Sequence, residues 1–192
     1  MDRREALKRT AWIMGVAVSA PTIMAVLKGC AAKPGIDWKP GFFSEEQAVL
    51  ISQLSETIIP KTDTPGAKEA GVPSFIDLVV KDCFKPEDQL KFVDGLKAFD
   101  EGAKSEYGDS FAELDPVKQL EYANKVNAAA VQQSKIKDAE RPFFLMMKEL
   151  TLTGFFTSEP GATQVLQYEA VPGAFHGCIP LSEAGNGKTW AT

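Results

Sequence analysis

The chain has 192 residues, enough for one folded domain and a targeting segment. Hydrophobic residues make up 44% and charged residues 24%, the balance of a globular protein and not of a disordered one. The formal net charge of −5 argues against a nucleic-acid binder, which needs a basic surface to displace counterions from phosphate.

The charge is unevenly placed. Five of the 21 basic side chains but only two of the 26 acidic ones precede Cys30, so the basic start belongs to a leader. Residues 2–9 form a positive segment, and residues 10–27, TAWIMGVAVSAPTIMAVL, carry no charge. Pro21 interrupts that run and makes it a poor permanent membrane helix. A basic start, an apolar middle and small residues before a boundary predict a secretory signal over residues 1–29. Arg3 and Arg4, followed by Leu7 and Lys8, resemble the twin-arginine export signal, with Ala6 where that pattern has an aromatic residue. That route carries proteins already folded in the cytoplasm. Leu27-Lys28-Gly29-Cys30 resembles a bacterial lipobox, with Lys28 as the departing residue. Cys30 is then expected to be the first mature residue and to carry a lipid, giving a membrane-anchored periplasmic protein. The alternative is an N-terminal anchor that is never cleaved.

Residues 30–43 hold the lipid site and a Pro/Gly-rich tether, although Trp38, Phe42 and Phe43 are too apolar for an idle linker. Ser44 with Gln47 is a capping box, and Leu50, Leu54 and Ile58 stripe the helix it starts, which stops at Pro60. A loop of Pro, Gly, Asp and Thr follows. Phe75, Ile76, Val79, Val80 and Cys83 recur at helical spacing. Pro86 opens a third helix with Leu90, Val93, Leu96 and Phe99 expected inward, and Asp115-Pro116 a fourth with Val117, Leu120 and Val126 inward. A fifth begins near Pro142 and holds Phe143, Met146, Met147, Leu150 and Phe155. No segment alternates with period two and no repeat is present. The expectation is an all-α domain of about five helices over residues 44–181, with irregular N- and C-terminal arms and a polar tail over 182–192. The C-terminal arm is apolar, as a partner-binding surface is.

Chemistry-bearing motifs are scarce. His176 is the one histidine, too few for an N/S metal site, and no C-x-x-C, dinucleotide, P-loop or nucleophile-elbow motif is present. His176 with Cys178 lies too close along the chain for an assembled base and nucleophile. Asp63, Asp77 and Asp82 match no calcium-loop spacing, and Asp63 before Pro65-Gly66 reads as a turn residue. With Cys30 lipidated, Cys83 and Cys178 remain. They can pair with each other, or Cys178 can bridge to another chain, and Cys83 on an apolar stripe reads as a small hydrophobe.

The segment ETIIPKTDTPGAKEAGVPSFID (residues 56–77) and the later GFFTSEPGATQVLQYEAVPGAFHGCIP (residues 154–180) resemble the gluconate 2-dehydrogenase subunit 3 family, over about residues 44–181. The resemblance implies a small subunit of a membrane-associated, FAD-dependent sugar or sugar-acid dehydrogenase, not catalytic by itself. It implies a flavoprotein partner of the glucose–methanol–choline type that holds the FAD, and a haem c protein as a third subunit. It gives this chain no cofactor of its own. The twin-arginine leader would then carry the folded flavoprotein across the membrane. The partner surface is expected on the loop bearing Pro60, Asp63, Pro65, Gly66, Gly71 and Pro73, and on the arm bearing Phe155, Phe156, Tyr168, Pro172 and Phe175. A second reading is a stand-alone periplasmic lipoprotein enzyme or ligand binder using Asp63, Glu159 and His176.

Overall fold

The structure, a computed structural model, describes residues 34–191 apart from 138, 172, 175, 176, 181 and 184–186. The leader with Arg3, Arg4, Leu7 and Lys8, the lipid site Cys30, and Pro172, Phe175 and His176 lie outside the described residues.

Local chemistry sets the helix starts. In α1 (Glu45–Ile58) the Ser44 hydroxyl accepts from the Gln47 N–H, and the Gln47 side chain accepts from the Ser44 N–H. Two otherwise orphaned donors are thereby satisfied. Helix α2 (Val72–Cys83) is entered through Gly71 at φ +73°, a left-handed conformation that favours glycine. Helix α3 (Pro86–Tyr107) starts on Pro86 and ends at Gly108. A 3-10 turn (Phe111–Glu113) leads to α4 (Pro116–Gln133), whose Asp115 cap accepts from the N–H groups of Val117 and Lys118. Helix α5 (Phe143–Phe156) is followed by a π-type turn (Gly161–Val165). The fold is all-α as expected. Among the described residues the one strand-like pairing is an isolated bridge between Gln167 and Trp190.

Helix α5 is the centre of the bundle and packs against all four other helices. Its sequence, FFLMMKELTLTGFF, has only Lys148 and Glu149 as charged residues, and a helix apolar on nearly all sides is a buried one. Phe144, Met147, Thr151 and Phe155 are its buried stripe. The Thr151 hydroxyl donates to the Met147 carbonyl, which satisfies it inside the core. An aromatic chain of Phe43, Phe92, Phe143 and Phe99 runs through the core at centroid spacings from 5.1 to 6.3 Å.

Three positions expected inward face solvent instead: Leu90 (66% exposed), Val117 (75%) and Leu120 (52%). The inner face of α3 is Phe92, Leu96, Phe99 and Ala103, so Leu90 projects beyond the edge of the core. The inner face of α4 is Gln119, Tyr122, Ala123 and Ala130. There two buried alanines lie beside a tyrosine whose hydroxyl donates to the Phe99 carbonyl, and the larger aliphatic residues are left outside. Cys83 is exposed as well, and not packed as a small hydrophobe.

The arm before α1 is part of the folded unit. Phe43 is buried, and Ile36, Trp38 and Phe42 pack on the core. Asp77, 5% exposed, accepts from the N–H groups of Gly41 (2.8 Å), Phe42 (3.1 Å) and Phe43 (3.0 Å). A buried carboxylate needs such donors, and these also satisfy backbone groups that no helix or sheet provides for. Asp77 is therefore committed to the arm and forms no carboxylate set with Asp63 and Asp82.

Candidate functional site

The loop between α1 and α2 is rigid because one side chain fills its interior. The Glu56 carboxylate accepts from the Lys61 N–H (3.1 Å) through one oxygen and from the Lys68 N–H (2.9 Å) through the other. A Cβ on Gly66 would lie 2.4 Å from Glu56 Oε1 and 2.6 Å from the Lys61 nitrogen, so only glycine fits between carboxylate and backbone. The Ala67 N–H donates to the Ile59 carbonyl and the Val72 N–H to the Ala67 carbonyl, which pins both ends of the turn. Lys61 and Glu69 pair across the outside, and the hydrogen bond to Glu69 holds the Lys61 ammonium above its ordinary range. Pro60, Asp63 and Gly71 are exposed, Pro65 is half-buried, and Gly66 and Pro73 are buried. The loop thus presents Lys61, Thr62 and Asp63 on a fixed backbone.

The second segment starts where α5 ends. The Ser158 hydroxyl donates to the Phe155 carbonyl (2.6 Å) and accepts from the Gly161 N–H (3.2 Å). A Cβ on Gly161 would sit 1.9 Å from the Phe155 carbonyl oxygen, so the π-type turn requires glycine there. Phe155, expected at the partner surface, is instead buried at 3% exposure in the core. It continues the Phe144, Met147, Thr151 stripe and has no area left for a partner. Its neighbour Phe156 packs edge-on against it and is 37% exposed. Tyr168 is 56% exposed.

The two segments, about eighty residues apart, meet at one pole of the bundle. The start of α2 crosses the end of α5 so closely that a Cβ on Gly154 would lie 2.6 Å from the Phe75 ring. On α2 Leu78 is exposed, as is Ser74; on α5 Leu152 and Phe156, one turn apart and on the side away from Gly154, are exposed along with Thr153 and Thr157. Over residues 72–80 and 150–157 the only charged side chain is Asp77, which is buried and bonded to the arm. An apolar surface depleted of charge is the composition of an interface core. Leu78 and Leu152 were missed in the sequence. The signal for Leu78 was a large apolar residue off the Phe75, Ile76, Val79, Val80 stripe.

A pocket of about 640 Å³ adjoins this pole, lined by Ile36 and Trp38 of the arm, Ser52 of α1, Lys68 and Glu69 of the loop, and Ser74 of α2. A larger cleft of about 960 Å³ lies away from both segments, over Phe99, Tyr122, Phe143 and Met146, with the Lys91–Glu140 ion pair at its rim. Among the described residues no group of three or more His, Cys, Asp or Glu is placed to hold a metal ion. None of the described helices is long and apolar enough to cross a membrane. Asp63 and Glu159 are exposed on separate segments. Cys83 and Cys178 are both exposed and unbridged.

The family model described as gluconate 2-dehydrogenase subunit 3 matches residues 45–173, which takes in both the loop and the turn after α5. No curated protein and no solved structure matches the chain.

Proposed function

The chain belongs to the gluconate 2-dehydrogenase subunit 3 family, and on that premise we propose that it is the non-catalytic export and assembly subunit of a membrane-associated, FAD-dependent sugar or sugar-acid dehydrogenase. Its partner is a flavoprotein large subunit of the glucose–methanol–choline type, which holds the FAD and does the chemistry. A cytochrome c subunit takes the electrons onward. The flavoprotein binds its cofactor and folds in the cytoplasm, and then crosses as a passenger of the twin-arginine leader on this chain. Lipid on Cys30 keeps the pair at the periplasmic face of the membrane.

One observation supports this reading above the others. The two segments that carry the family resemblance meet where α2 crosses the end of α5, and over residues 72–80 and 150–157 every exposed side chain is apolar or uncharged, in a chain where charged residues make up 24%. Rigid loops around an apolar centre suit docking, because little ordering is left to be done on association. The loop offers Lys61 and Asp63 as a polar rim, while Phe156, Leu152 and Leu78 offer apolar area. The test is co-expression with the flavoprotein. A chain ending at Leu166 and carrying Phe156→Ser keeps α5 with its buried Phe155 and the turn after it, so it should keep its helices and lose the complex. A complex that survives that truncation refutes the assignment of the interface.

A further inference from the structure

Residues 187–191 of the polar tail fold back onto the turn after α5. The Gln167 N–H donates to the Thr189 carbonyl, and the Ala191 N–H donates to the Gln167 carbonyl, both at 2.8 Å. These two bonds make the isolated parallel bridge between Gln167 and Trp190. The Lys188 ammonium adds a third, to the Gln164 carbonyl at 2.6 Å. Gln164 belongs to the π-type turn, which Gly161 and Ser158 fix to the end of α5 and whose Val165 packs on the core. The tail is therefore tied to a rigid part of the domain.

These bonds close a loop of about twenty residues, long for a connection between elements of a compact domain. Compact loops of that kind are normally packed by their own side chains. Among the described residues here, Tyr168, Val171, Ile179 and Trp190 are instead turned outward, from 42% to 79% exposed. The closure ties its base to the turn after α5, and Tyr168, Val171 and Ile179 display apolar surface.

We infer that residues 187–191 are a clasp that preorganises Tyr168 and Val171, next to the turn after α5, for docking on the large enzyme subunit, with Trp190 contributing a contact of its own. This rests on the export and assembly reading above. Closing a loop before binding removes ordering that association would otherwise have to do, and tryptophan and tyrosine are the side chains on which interfaces most often depend.

The test compares the full chain, a chain ending after residue 186, and Trp190→Ala, each co-expressed with the flavoprotein. The free chains are also digested with chymotrypsin, and cleavage after Tyr168 is followed by mass spectrometry. The clasp predicts unchanged helical content for all three and at least about ten-fold weaker binding for the truncated chain. Trp190→Ala keeps the backbone bonds, so it should bind more weakly than the full chain but resist cleavage like it. The free truncated chain should be cut at least about ten-fold faster than the full chain. If the full and truncated chains bind the flavoprotein equally well, the clasp is refuted while the functional reading stands. If the full chain does not bind the flavoprotein at all, that reading falls, and equal cleavage of the free chains then refutes the clasp independently.

Discussion

Replacing Glu56 by alanine tests whether one carboxylate sets the shape of the loop. The side chain accepts two backbone N–H groups, from Lys61 and Lys68, and each such bond to a charged group contributes about 1.5–3 kcal/mol when shielded. Lys61 and Lys68 are exposed, so water replaces part of each bond, and about 1–2 kcal/mol in total is the expected loss. For a domain of this size that lowers Tm by roughly 3–8 °C. Gly66→Ala should be worse in the native background, because its methyl meets both the Glu56 carboxylate and the Lys61 nitrogen. In the Glu56→Ala background only the backbone clash remains. Urea unfolding of the four proteins in this cycle, followed by far-UV circular dichroism, should give a coupling of about 1 kcal/mol. Additive effects, with no coupling, would refute the argument that glycine is needed because the carboxylate occupies the turn.

Asp77→Ala removes the acceptor from three N–H donors of the part-buried arm and should destabilise by about 2–4 kcal/mol, with early proteolysis between Trp38 and Phe43. Burial works to raise the Asp100 carboxyl, but hydrogen bonds from Lys104, Ser110 and the Phe111 N–H outweigh it and hold the group below its ordinary range. Asp100 therefore contributes stability that is present above the unfolded value of about 3.9 and is lost as pH falls through the lower folded value. Asp100→Asn should flatten that part of the acid-unfolding curve, and an unchanged curve would contradict the assignment. Phe155→Ala should cost about 3–5 kcal/mol of stability, whereas Phe156→Ser, which loses a partly buried ring packed on Phe155, should cost about 1–2 kcal/mol and weaken the complex.

The helix starts were legible because they depend on local chemistry. Ser44 with Gln47, Pro86, and Asp115 with Pro116 each mark an end that needs only its immediate neighbours. The inward faces of α3 and α4 were less legible, since a face is set by what packs on it. The alanines of α4 form no large apolar stripe, and the larger Leu120 lies on the solvent side. Phe155 and Phe156 are adjacent, yet only the phase of Phe144, Met147 and Thr151 separates the core residue from the surface one. Asp77 and Glu56 act on backbone that lies 34–36 residues away for the one and 5–12 for the other. Neither role has a spacing that a reader of the sequence would look for. The convergence of the two motif segments is likewise a property of the bundle, fixed by α5 packing across α2.

The central claim is that this chain works as the partner of a flavoprotein. The most direct measurement is purification of the tagged full-length protein from its host membranes, with an absorbance spectrum of the product and of the variant that ends at Leu166 and carries Phe156→Ser. The account predicts a larger companion carrying FAD with the full chain and none with the truncated one. A colourless product that migrates alone, from the full chain, would contradict it.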